Sequence, residues 1–356
     1  QAALYSWIQA SGGDWRKQVK HGDIILVVDV GGGTTDLSLI AVLERDGNLA
    51  LQRVAVGEHI LLGGDNMDLA LAYGVARKLA GEGKQLDAWQ TRALAHGCRS
   101  AKEQLLADDT LQSVPVVVPS RGSKLIGGSI RTEVTRTEVL AMLVEGFFPQ
   151  VAVTDKPQTR ARAALTQLGL PYAQDAAVTR HLAAFLARQA GATEHIDGLQ
   201  GTQPEGAAFL HPTAILFNGG VLKAPQIEQR IQSVINGWLT ADGAQPARLL
   251  DGANLDLAVA RGAAYYGHVR LGRGVRIRGG TAQSYYVGVE SNMPAIPGME
   301  PPMSALCLAP FGMEEGTEVA LDAQEFGLVV GEAVRLRFFG SSVRRTDAVG
   351  TLLDFW

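Results

Sequence analysis

Residues 24 to 36 read Ile-Ile-Leu-Val-Val-Asp-Val-Gly-Gly-Gly-Thr-Thr-Asp, an apolar run that ends in three glycines and two hydroxyls bracketed by Asp29 and Asp36. This combination suits a polyphosphate and its cation. Glycines lack a Cβ, so backbone N–H groups at Gly31, Gly32 and Gly33 can close on phosphate oxygens. Thr34 and Thr35 add hydroxyl donors, and carboxylates are the oxygen ligands a hydrated Mg²⁺ takes. A bare Gly-Gly-Gly is more often an ordinary hairpin turn. The flanking carboxylates decide against that reading, because a turn needs neither. The segment has neither the Gly-Lys-Ser/Thr of a P-loop nor the glycine spacing of a dinucleotide fingerprint, so it points to another phosphate-binding architecture.

Three later segments repeat the theme. Leu62-Gly63-Gly64-Asp65-Asn66-Met67-Asp68 hands a glycine pair to a helix, Cys98-Arg99-Ser100-Ala101-Lys102 lies within a helical pattern, and Ile215-Leu216-Phe217-Asn218-Gly219-Gly220 runs a strand into a turn before Pro225. Asp29 to Asp36 resembles the second phosphate motif of the actin-like ATPases, in the wording of the DnaK-type chaperones, the 70-kDa heat-shock proteins. The three later segments fall in that family's order, and the chain is identified as resembling a divergent member.

The resemblance implies an actin-like (ribonuclease H-like) α/β ATPase lobe with an inserted helical subdomain, followed by a small all-β domain. It implies ATP or ADP with Mg²⁺, and K⁺ as a further candidate. Asp29 is expected as an outer-shell Mg²⁺ ligand, Gly31, Gly32, Gly33, Thr34 and Thr35 as phosphate donors, and Thr34 as a contact of the γ-phosphate. Phosphoryl transfer to water needs such positioning and charge neutralisation more than covalent help. Asp36 either organises a cation or caps its own hairpin. Gly219 and Gly220 would let a strand-to-helix turn approach the nucleotide, and Gly64, Asp65, Lys102, Lys223 and Asp256 complete the expected contacts. Asp65 and Asp68 read first as helix-start carboxylates, which favour the positive end of the dipole. Lys102 reads nearly as well as part of a solvated face, and His59, like the other histidines, has no ligand spacing.

Stepping outward, 32 basic and 36 acidic residues give a net charge of −4, which offers no global attraction to nucleic acid or anionic lipid. Cys98 and Cys307 stand far apart with no metal or disulfide spacing, which fits a reducing cytoplasm. No apolar run reaches the length of a membrane span. The chain opens at Gln1 inside a helical pattern, and the resemblance places a first lobe, with its own phosphate loop and catalytic groups, upstream. On that reading the chain holds half of a nucleotide cleft and by itself turns over no ATP.

The elements follow from periodicity. A hairpin of buried strands surrounds the glycine turn, and a third strand spans 49–56. Helices are expected over about 66–81, 87–107 and 136–148, the last with a Thr135/Glu138 capping box. A hairpin of 114–118 with 124–130 lies between the second and third. Residues 151–207 are richer in Ala, Arg, Gln and Thr, carry one helix near 176–189, and read as an insertion. Strand 214–217, an amphipathic helix from Pro225 and a helix over 256–267 close the lobe. The expected domains are therefore 1–22, a helix of the first lobe; 23–60 with 208–268, the base of the second; 61–207, its upper subdomain; 269–280, a linker; and 281–356, a β-rich client-binding-like unit. In that unit 286–289, 318–321 and 334–338 alternate, and the four prolines from Pro294 to Pro302 read as an irregular connection before a lid. The terminal pair Phe355-Trp356 is expected to want a core to pack against.

The leading functional reading is one half of a chaperone that couples ATP binding and hydrolysis to binding and release of unfolded polypeptide, with co-chaperones or a nucleotide-exchange factor as further partners in protein folding and the stress response. The alternatives are an actin-like or sugar-kinase-type ATPase, and a nucleotide-free scaffold. The adenosine pattern is altered: Arg99 stands where the family commonly has an acid, Glu103 where some members are basic, Leu106 where a serine closes the motif, and Lys223 for a stacking arginine. Weak ADP binding with poor discrimination against GDP is expected of the full-length protein. Calorimetric titration with both nucleotides checks this, and tight binding with strong adenine preference would contradict it.

Overall fold

The run Ile24 to Val28 has no polar residue to turn toward water, and it forms the first five residues of a strand buried on both faces, β1 (Ile24–Val30). The computed structural model describes residues 1–118, 129–159, 172–251, 254–281, 283–291, 297–298, 301–314, 316–321, 325–327, 330–331, 333–341 and 343–354. They divide into two compact units, Gln1–Arg276 and Ile277–Trp356.

In the first unit β1 pairs antiparallel with β2 (Thr35–Arg45), which pairs antiparallel with β3 (Asn48–Val56). The turn between β2 and β3 uses Asp46 and Gly47, both with positive φ. On its other side β1 pairs in parallel with β6 (Ala214–Asn218), itself parallel to the short β7 (Arg248–Leu249). The order within this unit is β7-β6-β1-β2-β3. Two antiparallel pairs beside a parallel crossover make it a mixed α/β sheet. Helix α1 (Ala2–Ala10) and the short α2 (Trp15–Gln18) precede the sheet, and Trp7 and Trp15 are among the largest fully buried side chains.

Between β3 and β6 the chain builds an upper layer. Helices α3 (Gly64–Gly81) and α4 (Ala88–Ala107) pack on each other and on a hairpin of β4 (Ser113–Val118) with β5 (Ile130–Thr135). The second hairpin strand begins at Ile130, where alternation alone ends it. Residues 124–128 lie outside the described residues. The expected single helix over 136–148 is interrupted: α5 (Arg136–Val139) and α6 (Glu145–Phe147) flank a π-helical turn at Leu140–Val144. The capping box is present, with Glu138 N–H donating to Thr135 Oγ1 at 3.2 Å and Thr135 N–H to Glu138 Oε2 at 2.8 Å. Helix α7 (Val178–Arg188) follows, then β6 and α8 (Pro225–Ala241), whose Ile227, Ile231, Val234 and Trp238 are buried as their spacing requires. Helix α9 (Ala258–Arg270) closes the unit against α1, and Gly262 makes that crossing possible because a Cβ there would meet Ala2 O at 1.9 Å.

Two buried carboxylates tie this unit together. Asp23, 1% exposed, accepts from Lys20 N–H at 2.7 Å and from Thr213 Oγ1 at 2.9 Å, and pairs with the Arg248 guanidinium. It thereby fixes the entry of β1 to the start of β6 and to β7. Asp175 accepts from the N–H groups of Gln158 at 2.7 Å and Ala177 at 2.9 Å, and pairs with Arg180 at 2.9 Å. That closes the base of the segment 159–174, of which 160–171 lie outside the described residues.

In the second unit, after the short β8 (Ile277–Arg278), β9 (Ser284–Glu290), β10 (Met303–Ala309), β11 (Phe338–Ser341) and β12 (Leu352–Asp354) form an antiparallel sheet in the order β11-β9-β10-β12. Its core is small: Tyr286, Ala305 and Cys307, flanked by Phe339 and Leu353. Two expected strands are corrected. Residues 318–321 form no strand, and in 334–338 only Phe338 enters one. The alternation there has no buried face, since Val334, Leu336 and Phe338 are 53%, 60% and 65% exposed. Phe355-Trp356 and most of 292–300 lie outside the described residues.

Burial drives the carboxyls of Asp23 and Asp175 upward, but their hydrogen bonds and arginine partners outweigh it and hold both below the ordinary range. A depressed carboxylate contributes stability above its unfolded value, near 3.9, that is lost as pH falls through the folded value. Asp23→Ala should cost about 3 kcal/mol at pH 7 by breaking a buried pair, and should flatten the loss of stability below about pH 4. Denaturant unfolding at pH 7 and across the acid range checks both.

Candidate functional site

The four residues between β1 and β2 form a turn closed by Gly31 N–H donating to Thr34 O at 2.8 Å. The turn leans on the start of α3: Gly64 N–H donates to Gly31 O at 3.0 Å and Asp65 N–H to Gly32 O at 2.7 Å. Gly63 must be glycine for that approach, because a Cβ would sit 2.6 Å from both loop carbonyls. The loop glycines are different. None of Gly31, Gly32 and Gly33 has a positive φ, and a Cβ on them would meet nothing nearer than 3.6 Å. Neither backbone conformation nor packing within the chain asks for glycine there. The N–H groups of Gly32, Gly33 and Thr34 have no hydrogen-bond acceptor among the described residues. Together these features make a cradle of free donors facing open space, the arrangement that receives an anion.

The strand register sets the carboxylates. Asp29 stands opposite Asp36 across β1–β2 and opposite Asn218 across β1–β6. Asn218 Nδ2 donates to Asp29 Oδ2 at 2.7 Å. Burial raises the Asp29 carboxyl above its ordinary value, the Asn218 hydrogen bond opposes this, and the charge of Asp36 adds to it. Asp36 Oδ2 accepts from Thr34 Oγ1 at 3.1 Å, and its Oδ1 meets His59 Nδ1 at 2.6 Å. So Asp36 is held by its own turn and by His59, to which sequence spacing assigned nothing. Thr35 turns inward: its hydroxyl is buried and donates to Leu62 O at 2.8 Å, so it fastens the loop and is not a free donor toward it. Gly219, with φ +94°, allows the β6 turn to pass Asp29, because a Cβ there would lie 2.2 Å from Val30 O and 2.8 Å from Asp29 Oδ1. After it a 3₁₀ turn, Gly220–Lys223, leads into α8 with Pro225 at the first helical position.

Beside the loop lies a cleft of about 420 Å³, within the range of small-molecule sites. Gly32, Gly64, Asp65, Lys102, Gly220, Lys223 and Asp256 line it, with Arg99, Glu103 and Leu106. Seven expected site residues from five separated segments thus share one cavity. Lys102 is no solvated side chain: it is buried, 2.5 Å from Asp68, and reaches Gly64 O at 3.4 Å. Asp68 is correspondingly part of a buried pair and not a helix cap, and burial lifts its carboxyl despite Lys102. The outer charges also pair: Arg99 with Glu103 at 3.2 Å and Asp65 at 4.0 Å, and Lys223 with Asp256. Cys98 is buried, and burial pushes its thiol up to about 12, which favours the thiol over the reactive thiolate.

Among the described residues no group of three or more His, Cys, Asp and Glu side chains is placed to hold a metal by itself. Mg²⁺ keeps several waters and is bound through one or two carboxylates together with phosphate oxygens. Asp29 and Asp36 would supply those carboxylates.

The sheet, the loop and the cleft make one α/β candidate site. Residues 14–156 match the family model described as Hsp70 protein. This stretch holds β1 to β3, the glycine loop, α3, α4 and the β4–β5 hairpin, and over it the chain is an Hsp70-family domain.

A carboxyl whose folded value is raised stabilises the native state below the unfolded value, and that contribution is lost as pH rises through the folded one. At pH 7 the ionised Asp29 is therefore a cost to the unliganded fold. Asp29→Asn should raise the melting temperature of the unliganded chain at pH 7 and narrow the difference at pH 3. A lowered melting temperature at pH 7 would contradict this.

Proposed function

We propose that residues 1–276 are the nucleotide-binding part of an Hsp70-type chaperone, with an actin-like lobe based on 23–60 and 208–268 and an upper subdomain over 61–207. The observation that carries the reading is the cradle of Gly31, Gly32 and Gly33: three glycines that neither φ nor packing requires, beside free N–H groups and two carboxylates. Gly32, Gly33 and Thr34 bind the phosphates of ATP or ADP through their N–H groups. Asp29 and Asp36 would hold Mg²⁺, whose charge would offset that of the phosphates. Thr34 keeps its hydroxyl next to that charge through Asp36. Gly219 and Gly220 bring the β6 turn beside Asp29, and Lys102, Lys223, Asp65 and Asp256 surround the remainder of the nucleotide. Asp36 is also the candidate for a K⁺, in competition with His59.

Unfolded polypeptide is the proposed partner of the second unit, whose antiparallel sheet has a small core and much exposed apolar surface. The division at Arg276/Ile277 supports a linker over 269–280 between nucleotide and client units. Coupling of the two sites would be a linkage in which each ligand shifts the affinity for the other. No helix among the described residues is long and apolar enough to cross a membrane. A nucleotide-free scaffold is the second reading, favoured by one observation: the cleft cations Arg99, Lys102 and Lys223 are all paired with carboxylates.

Gly33→Val separates the two. The space around Gly33 is open to 4 Å, so the fold should lose no more than about 0.5 kcal/mol. Mg-ADP affinity should fall at least ~10-fold, since one bulky group denies the phosphate its hydrogen bonds, each charge-assisted bond contributing about 1.5–3 kcal/mol. A wild-type chain that binds no Mg-ADP would favour the scaffold, and binding unchanged by the substitution would move the phosphates away from this loop.

A further inference from the structure

Asn218 ends β6 at the point where three strands meet, and it is 1% exposed. Its amide is oriented by chemistry: Nδ2 donates to Asp29 Oδ2 at 2.7 Å, since a carboxylate only accepts. This leaves Oδ1 buried with no partner among the described residues. A buried acceptor without a donor is expensive, and a fold keeps one where a water or ligand supplies the missing hydrogen bond. The neighbouring Asp29 Oδ1 faces the Gly219 turn, where only the absence of a Cβ leaves it room.

We propose that Asn218 is a positioning residue for the cation-holding carboxylate: it pins Asp29 Oδ2 so that Oδ1 faces the nucleotide side, and offers its own Oδ1 to a water that Asp29 shares. The inference rests on the nucleotide reading above. Parallel pairing of Asp29 with Asn218 fixes the two backbones, so the amide and carboxylate meet without either side chain having to search. Because Asn218 is buried behind Asp29, it acts on the cation only through that carboxylate and through water. Partners of this kind orient a ligand carboxylate, and their loss typically costs 10–100-fold in metal affinity.

The test compares ADP affinity of the full chain with Mg²⁺ and with EDTA, by calorimetry, for wild type, Asn218→Leu, Asn218→Ser, Asp29→Asn and the Asp29→Asn/Asn218→Leu pair. Leu keeps the shape of Asn and removes both polar atoms; Ser is a second variant should Leu not fold. Asn218→Leu and Asn218→Ser are expected to reduce the Mg²⁺ enhancement about 10-fold, leave affinity in EDTA within about twofold, and add nothing in the Asp29→Asn background. An Mg²⁺ enhancement retained in both variants, or equal losses with and without Mg²⁺, would overturn the assignment. Wild type that binds ADP with no Mg²⁺ enhancement would overturn it while leaving nucleotide binding intact. Wild type that binds no ADP would overturn the functional reading and this inference with it.

Discussion

Everything at the site depends on the pairing of β1 with two neighbours of opposite direction. The antiparallel partner places Asp36 across from Asp29, and the parallel partner places Asn218 on its other side. Because side chains alternate along a strand, a slip of one residue in either pairing would turn one of these groups to the opposite face. The register is held by burial of Ile24 to Val28 and of Ala214 to Phe217, and at the far end by Asp23, which binds Thr213 and Arg248. Carboxylates at the two ends of β1 thus have opposite tasks. Asp23 is satisfied by three donor groups and is held low, whereas Asp29 has one donor and is held high.

The glycine loop is positioned from the other side by the upper layer. Helix α3 gives its first N–H groups to the loop carbonyls, and the N–H groups of Gly32, Gly33 and Thr34 are left without an acceptor among the described residues. The same helix carries Asp68, and α4 carries Lys102, so the buried pair couples both helices directly beneath the cleft. Removing one member of such a pair strands a charge, which makes the relative placement of α3 and α4 hard to change piecemeal.

Much of this was legible in the order of residues. The apolar run, glycines and bracketing aspartates located the loop, and Gly64, Lys102 and Gly220 fell into one cleft although they are far apart in sequence. These were readable because glycine and strand periodicity act locally. What sequence missed was set by tertiary pairing. Asn218 matters because of its register partner, and His59 because the chain after β3 returns to Asp36; neither relation has a spacing rule. Thr35 and Thr34 are chemically alike, yet strand alternation sends the first inward to Leu62 O. In the second unit, alternation at Val334 to Phe338 misled because, among the described residues, nothing buries either face of it.

The central claim is that the free N–H groups of the β1–β2 turn receive phosphate. Amide ¹H–¹⁵N spectra of the chain, titrated with Mg-ADP, observe those groups one by one. The account predicts that the resonances of Gly32, Gly33 and Thr34 shift most, with that of Gly220 following at the same ligand concentration. Unmoved resonances at these four residues under saturating nucleotide would contradict it.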